Sequence, residues 1–219
     1  MGSLRQAVRA KIPFSADIYE SIDRHLRMRR ARPRIDAMAA GKTPIKLDLG
    51  GGYRKGTNGW TTVDISHECD LFWDLRHGIP FADGTVAAVY SSHLFEHLTY
   101  EQGQGLMRES LRVLRPGGSF SIVVPNAKLY IEHYMGARDL PDEFFAWEPA
   151  FHDSTRIDAL NYIAYMAGEH TYMFDIENLL FRMRAAGFVD VAERGFDPVT
   201  DMAERDYESI YAIGYAPTN

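Results

Sequence analysis

Residues 46–52 read Lys-Leu-Asp-Leu-Gly-Gly-Gly, and this stretch decides the fold. Leu47 and Leu49 belong to a short predicted strand, residues 45–49, that ends directly in three glycines. Glycine has no Cβ, so the backbone can come very close to a ligand. Open α/β sheets bind their ligands beyond the carboxyl ends of their strands. The stretch therefore predicts a buried strand whose end faces a nucleotide-like ligand.

Strand and helix patterns alternate along the rest of the chain. Further strands are predicted over residues 60–65, near 70–75, and over 86–91, 119–124, 188–193 and 207–215. Helices are predicted over 15–32, ended by Pro33, from near His93, over 101–114, and from the N-cap Asp175 to Gly187. This order predicts an α/β, Rossmann-like fold. Its sheet has seven mostly parallel strands with an antiparallel C-terminal strand, and helices cover both faces.

The chain divides into a basic helical segment, residues 1–44, and one domain, residues 45–219. Within the domain, residues 127–172 are rich in aromatics and predict a lid insertion after strand 5, since long insertions in compact domains usually serve function. The 219 residues contain no long apolar run, no leader-like N-terminus and only one cysteine, Cys69. These features predict a cytoplasmic protein without a membrane span.

The net charge of −6 is unevenly distributed, because the first 46 residues carry eleven Lys/Arg against four Asp/Glu. A nucleic-acid surface is one interpretation of this cluster. We favour a helix face that closes over the acidic body or meets a second subunit, because no aromatic platform accompanies the arginines. The expected partners thus include a second copy in a homodimer and exclude nucleic acid. The clustered arginines are Arg24, Arg27, Arg29, Arg30, Arg32 and Arg34.

The glycine spacing excludes two common nucleotide sites. Dinucleotide-binding folds use G-x-G-x-x-G and an acidic residue about twenty positions on. Here Asp64 follows Gly50 by only fourteen residues, and no Gly-Lys-Ser/Thr of a P-loop exists.

The ordered motifs resemble those of class I S-adenosylmethionine-dependent methyltransferases of the type 11 branch. The first two motifs are residues 47–52 and 63–65, and the third is Asp74 followed by residues 79–83. The fourth is residues 86–98, and the fifth is Leu-Arg-Val-Leu-Arg-Pro-Gly-Gly at 111–118. Together they cover about residues 45–126. The chain also resembles, in general character, sugar O-methyltransferases of oligomannoside or polysaccharide synthesis. The resemblance implies S-adenosylmethionine as cofactor and S-adenosylhomocysteine as product.

The resemblance also implies roles for individual residues of the cofactor site. The glycines would lie against methionine and ribose, and Asp48 would orient their loop or meet the methionine ammonium. Asp64 would accept ribose hydroxyls, and Asp74 the adenine amino group. The predicted cofactor-binding residues are Asp48, Gly50, Gly51, Gly52, Asp64, Ile65, Asp74, Leu75, Ser91, Ser92 and His93.

The methyl acceptor is less clearly indicated. Deprotonating a hydroxyl needs a base, and histidine has a suitable pKa. The candidates for this base are His93, His152 and His170, with Asp153 and Glu169 as possible orienting carboxylates, whereas Glu96-His97 is interpreted as structural. Flat aromatic faces suit a carbohydrate, although they would equally serve a helical cap that completes the core. The predicted acceptor-binding residues are Asn126, Tyr130, His133, Trp147 and Tyr172.

Two questions stay open at the level of sequence. A divalent cation is compatible with residues 152–175, but their spacing fits no compact metal template. The leading hypothesis is O-methylation of a carbohydrate. A small-molecule N- or O-methyltransferase is the alternative within the enzymes, and a non-catalytic module that binds S-adenosylmethionine is the alternative outside them.

Overall fold

A seven-stranded mixed sheet forms the centre of the computed structural model, which describes residues 13–152 and 154–218. Its strands are β1 (Ile45–Leu49), β2 (Trp60–Asp64), β3 (Leu71–Phe72), β4 (Val86–Ser92), β5 (Leu114–Pro125), β6 (Val189–Glu193) and β7 (Ser209–Tyr215). Their order is β3-β2-β1-β4-β5-β7-β6. β7 runs antiparallel to both neighbours, and the other pairs are parallel. This confirms the predicted Rossmann-like fold class.

Five α-helices accompany the sheet within these ranges. They are α1 (Pro13–Ala40), α2 (Tyr100–Val113), α3 (Ala127–Tyr134), α4 (Arg156–Tyr165) and α5 (Ile176–Ala186). α5 has the predicted ends: Asp175 accepts a hydrogen bond from the Asn178 amide, and Gly187 adopts the left-handed conformation of a C-terminal cap. No helix of the described ranges is long and apolar enough to cross a membrane.

The first helix is longer than its sequence predicts. Pro33 was expected to end it, but α1 continues through Pro33 to Ala40. Proline lacks an amide hydrogen and crowds the preceding turn, so contacts outside the helix must offset this cost. Ile35 is buried in the main core, and the Arg34 guanidinium bonds to the Asp70 carbonyl. Residues 1–12 of the predicted basic segment lie outside the described ranges.

The chain beyond β4 also differs from the prediction. No long helix begins at His93; a short 3₁₀ helix, Phe95–His97, comes first. α2 begins at Tyr100 because Thr99 and Gln102 form a capping box that fixes its N-terminus. Residues 93–99 thus remain a compact loop at the carboxyl end of β4.

β5 begins five residues earlier than the predicted strand, at Leu114 rather than Ser119. The sequence places residues 115–118 between the predicted helix over 101–114 and the predicted strand over 119–124. They form an irregularity inside the strand, because Leu114 pairs with Val86 and Ser119 with Ala88. Gly117 has a φ of 71°, which only glycine adopts without strain and which takes up the extra residues.

The insertion after β5 has a small core of its own. Seven buried residues pack together within it, apart from the main core of the sheet: Ala127, Tyr130, Phe144, Ala150, Ala159, Tyr162 and Ile163. α3 packs against α4, and short 3₁₀ helices connect them. The insertion is therefore an ordered subdomain beside the carboxyl ends of β4 and β5.

Candidate functional site

A cleft of about 590 Å³ opens at the carboxyl ends of β1, β2 and β4. This volume lies within the range of roughly 300–1,000 Å³ typical of small-molecule sites. The walls are mostly apolar, with a few acidic groups. The lining residues are Gly50, Asp64, Ile65, Trp73, Asp74, Leu75, Arg76, Gly78, Leu94, Leu98, Glu101, Gln102, Gly105, Leu106 and Glu109.

The glycine loop shapes one wall of this cleft. Gly50 has a φ of 75°, and a Cβ built on it would lie 2.9 Å from the Leu94 side chain. Gly52 has a φ of 62°, yet its Cβ would meet nothing within 4 Å. Larger residues would therefore be strained at both positions, and at Gly50 they would also collide. The loop leaves open space over Gly52, as a ligand lying against backbone requires.

Asp64 is held in a defined orientation at the end of β2. Its Oδ2 atom accepts a hydrogen bond from the Gly52 amide at 3.0 Å, and its Oδ1 atom accepts one from the Ser66 amide at 2.7 Å. A carboxylate has about four acceptor positions, so Asp64 keeps capacity for hydroxyl donors. The neighbouring Ile65 side chain is 48% exposed and lines the same cleft.

Asp48 lies buried at the end of β1 and lacks a full set of partners. Its Oδ1 atom has no hydrogen-bond partner among the described residues, and Oδ2 lies 3.8 Å from Arg54. Burial raises the pKa of Asp48 to about 6, although Arg54 partly opposes the rise. A buried carboxylate oxygen without a donor favours a cationic ligand group. The chemistry of this position thus fits the ammonium of a bound amino acid moiety.

Asp74, predicted to accept the adenine amino group, is already saturated. Its Oδ1 atom accepts hydrogen bonds from the Arg76 backbone amide at 3.1 Å and from Arg76 Nε at 2.9 Å. Its Oδ2 atom accepts from Arg76 Nη2 at 2.7 Å and from Arg24 Nη1 at 3.0 Å. Both arginines therefore compete with any ligand for the carboxylate, although Asp74 and Leu75 both line the cleft.

The end of β4 carries three of the predicted cofactor-binding residues, Ser91, Ser92 and His93. Ser91 is fully buried, and its hydroxyl donates to the Leu49 carbonyl at 3.0 Å, so it joins β4 to β1. Ser92 is also buried. His93 has a φ of 51°, which is uncommon for a residue with a side chain and is typical of functional sites. Its amide donates to the Val123 carbonyl at 3.0 Å, which secures this conformation.

The His93 side chain lies among polar groups from three segments. Its Nδ1 atom is 3.4 Å from Glu96 Oε1, and its Nε2 atom is 2.9 Å from Ser209 Oγ. Glu96 is buried, and its pKa lies below the usual range because His93 and His97 outweigh the opposing effect of burial. Nearby Glu208 has a pKa raised by burial and accepts a hydrogen bond from the Tyr130 hydroxyl.

The other predicted bases lie in different surroundings. His170 is buried, with Nδ1 bonded to the Ile163 carbonyl at 2.8 Å, and burial lowers its pKa. His152 is exposed. Asp153 lies outside the described residues. Of the acidic residues that were considered for a cation, Asp158 and Asp175 cap α4 and α5 instead.

Of the five predicted acceptor-binding residues, four have internal partners. Tyr130 is fully buried, with its hydroxyl 3.1 Å from the Phe144 carbonyl. Asn126 caps α3, and His133 Nδ1 accepts the Leu140 amide at 3.2 Å. The Tyr172 hydroxyl accepts from Arg182 at 3.1 Å. Trp147 is 52% exposed and keeps a free ring surface.

Three groups at this site were not singled out from the sequence for these roles. Arg24 reaches Asp74 from the first helix, and Ser209 and Glu208 reach the His93 region from the last strand and the turn before it. These contacts join positions 50 to 116 residues apart. No local pattern could have revealed them, because only the sheet order brings the segments together.

Comparison with known proteins supports the same class. Residues 60–122 match the model of the methyltransferase domain family of type 11. A S-adenosylmethionine-dependent methyltransferase from Archaeoglobus fulgidus superposes with a TM-score of 0.52 at 18% identity, covering 88% of this chain and 94% of its own. No curated protein matches the chain significantly in sequence.

Two further solved structures have similar folds. Phosphoethanolamine N-methyltransferase 2 of Haemonchus contortus, in complex with S-adenosyl-L-methionine, has a TM-score of 0.50 at 12% identity. The alignment covers 86% of this chain and 52% of that one. A chain of the Haloferax volcanii complex between the Trm112 activator and a methyltransferase has a TM-score of 0.48 at 16% identity, with 94% and 96% covered.

These identities establish the fold only. Together with the family match and the cleft, they support a class I S-adenosylmethionine-dependent methyltransferase with S-adenosylmethionine as its cofactor. The acceptor is a separate question.

Proposed function

We propose that this protein transfers the methyl group of S-adenosylmethionine to a hydroxyl of a carbohydrate, as in the tailoring of a polysaccharide or glycolipid. The observation that carries the proposal is the buried His93–Glu96 pair at the carboxyl end of β4, on the loop whose Leu94 lines the cofactor cleft and whose Glu96 carbonyl bonds to the end of the insertion. A methyltransferase acting on a hydroxyl needs a base at this position, whereas one acting on a neutral amine does not.

The cofactor would be held by groups on the first two strands. Gly52 offers open backbone, Asp64 offers two oriented carboxylate oxygens for the ribose hydroxyls, and Asp48 offers an unpartnered oxygen for the ammonium. Bound S-adenosylmethionine supplies an electrophilic methyl group and a thioether leaving group. The protein's main task is then to hold the acceptor in line with that methyl group, at roughly 3–3.5 Å.

His93 would take the proton of the acceptor hydroxyl. The Ser209 hydroxyl donates to the Arg205 carbonyl at 2.6 Å, so its oxygen accepts a hydrogen bond from His93 Nε2 at 2.9 Å. For base function the acceptor hydroxyl would displace Ser209, with the ring hydrogen on Nδ1 facing Glu96 and the lone pair on Nε2. As the methyl group is transferred, the proton moves to Nε2, and Glu96 stabilises the resulting imidazolium. Glu96 thereby acts as a positioning residue, not only as part of the fold.

The insertion would provide the surface for the sugar. Four of its aromatic side chains are substantially exposed: Tyr134 at 46%, Trp147 at 52%, Phe151 at 38% and Tyr165 at 63%. Such rings offer flat apolar faces with polar edges, which suit the faces of pyranose rings. The buried aromatics, such as Tyr130 and Tyr162, build the core of the insertion instead.

Two assays on the full chain test the proposal. Calorimetric titration with S-adenosylhomocysteine should give saturable binding, and its absence at high micromolar concentration would remove the cofactor assignment. Methyl transfer from labelled S-adenosylmethionine should then be measured on parallel panels of oligosaccharides, small phenols and amines. Turnover on oligosaccharides alone supports the proposal, and turnover on amines alone would replace it with N-methylation.

The same two assays distinguish an enzyme from a non-catalytic protein that only binds the cofactor. A module that only binds the cofactor would bind S-adenosylhomocysteine but leave every acceptor unmethylated. Slow loss of label to water, measured without any acceptor, provides the background for this comparison.

A further inference from the structure

We infer that Glu96, His97 and His170 form a binding site for a divalent transition-metal cation of the zinc class. Each residue offers one ligand atom, and these three atoms lie within 4.8 Å of one another. Glu96 and His97 come from the 3₁₀ helix Phe95–His97, whereas His170 lies near the end of the insertion, after the 3₁₀ turn Met166–Gly168. The inference concerns metal binding and does not depend on the identity of the methyl acceptor.

Both imidazoles are oriented as metal ligands commonly are. His97 Nδ1 lies 2.9 Å from the Glu169 carbonyl, and His170 Nδ1 lies 2.8 Å from the Ile163 carbonyl. A carbonyl oxygen can only accept, so each Nδ1 must carry the hydrogen. The lone pair of each neutral ring is then on Nε2. Histidines that bind metals usually donate their other ring hydrogen to a carbonyl or carboxylate in this way.

Glu96 supplies an independent sign that a cation is required. The residue is only 2% exposed, and its Oε2 atom has no hydrogen-bond partner among the described residues. Its Oε1 atom lies 3.4 Å from His93 Nδ1 on one side and 3.9 Å from Nε2 of His97 on the other. A lone pair that faces a buried carboxylate is unfavourable unless a proton or a cation lies between them. A metal ion satisfies the carboxylate and both imidazoles at once.

The kind of ligand defines the kind of metal. Two imidazoles and one carboxylate suit zinc and neighbouring transition metals, whereas magnesium and calcium prefer oxygen ligands. Bonds of about 2.0–2.2 Å to zinc require the three ligand atoms to draw together by small side-chain movements.

The position of the cluster gives the metal a structural consequence. The Thr171 and Tyr172 amides already donate to the Glu96 carbonyl, at 2.8 and 3.1 Å. A metal on Glu96, His97 and His170 would add a second link between the loop after β4 and the end of the insertion. Because the unfolded chain lacks this arrangement, binding should stabilise the folded state.

Calorimetric titration of the full chain with zinc chloride, after treatment with a chelator, tests the inference. We expect one zinc per chain and a thermal unfolding midpoint that rises until one equivalent is added. Cobalt(II) should give the visible absorption of a four- or five-coordinate ion. If micromolar zinc does not bind and does not change the midpoint, the inference is wrong.

Variants locate the metal. H97Q and H170Q should each weaken zinc binding at least tenfold, whereas H25Q, at an exposed histidine of α1, should bind as the wild type does. Equal binding by all three would overturn the assignment. If buried H170Q does not fold, H97Q decides alone, since the His97 side chain is 38% exposed and tolerates substitution more readily.

Discussion

His93 Nδ1 lies 3.4 Å from Glu96 Oε1, and both side chains are about 95% or more buried. This pair stands three residues apart on a loop in which His93 adopts a positive φ. The strained backbone and the buried charge both cost stability, and such costs are commonly found at functional sites. His93 and Glu96 are therefore the first residues to substitute.

Replacing His93 by glutamine should lower kcat by about 10²–10⁴-fold, because the acceptor hydroxyl would lose its base. The affinity for S-adenosylhomocysteine should change little. Initial rates and calorimetry on the same preparation measure the two effects. H152Q, at an exposed histidine of the insertion, is the matched control and should keep most of the activity. If H152Q lost all activity and H93Q lost none, the base would be His152, in the insertion, rather than His93.

The role of Glu96 can be separated from a purely structural one by a double-mutant cycle. E96Q and H93Q should each lower kcat, with little effect on the acceptor KM. If Glu96 acts through His93, the double variant should be scarcely worse than H93Q alone. Additive losses would mean that the two side chains act independently.

Asp48 should make the ligand-free protein less stable as the pH rises. Its folded pKa of about 6 lies above the value of 3.8 for a free carboxyl, so the folded state binds the proton more tightly. The resulting stabilisation is full below pH 3.8 and is lost as the pH rises through about 6. At ~1.4 kcal/mol per pKa unit, the loss amounts to about 3 kcal/mol.

Replacing Asp48 by asparagine should remove that dependence. Urea unfolding at pH 7.5 should show D48N to be more stable than the wild type by about 1–3 kcal/mol, since a buried charge disappears. Its affinity for S-adenosylhomocysteine should fall by about tenfold, or ~1.4 kcal/mol. A variant that is both less stable and unchanged in binding would contradict the assignment.

Arg24 should weaken cofactor binding, because it occupies the Asp74 oxygen that an adenine amino group would use. R24Q should therefore bind S-adenosylhomocysteine more tightly, by about 1 kcal/mol, which is less than the ~1.5–3 kcal/mol of a hydrogen bond to a charged group because Arg76 still bonds to Asp74. R30Q, on the exposed part of the same helix, is the control. Weaker binding by R24Q would instead mean that α1 completes the cleft.

Gly50 and Gly59 allow backbone strain to be separated from collision. Both have a positive φ, of 75° and 82°, but only at Gly50 would a Cβ meet a neighbour, Leu94, at 2.9 Å. G59A should cost about 1–2 kcal/mol of stability from strain alone. G50A should cost a further ~1–3 kcal/mol from overpacking and should abolish cofactor binding. Chemical denaturation and calorimetry measure both quantities, and equal behaviour of the two variants would exclude the collision.

Local patterns were sufficient for the order of the strands along the chain and for most strand bounds, but not for the start of β5. β1 and α5 have nearly the bounds that their apolar spacing and caps predict, because each depends on residues close together in the chain. Pro33 shows where this fails, since a local helix breaker was overridden by the packing of Ile35. The bulge at residues 115–118 was missed for a similar reason: it depends on pairing with β4.

The candidate site was predictable in outline but not in its pairings. Gly50 and Asp64 line the cleft, whereas Gly51 and Gly52 are not among its lining residues. The partners of Asp74 and His93 come from distant segments, and only the folded chain shows that Arg24 and Ser209 reach them. The choice of base among the three histidines stays a prediction.

The insertion buries its own aromatic residues in a cluster separate from the core beneath the sheet. Substitutions in the insertion can therefore change its outer surface without disturbing the strands that carry Asp48 and Asp64. Under the proposed function, in which the insertion binds the acceptor, acceptor preference and donor chemistry can evolve at different rates within one chain. A new acceptor would then be acquired by changing exposed residues such as Trp147 and Tyr165 while the residues for the methyl donor are inherited intact.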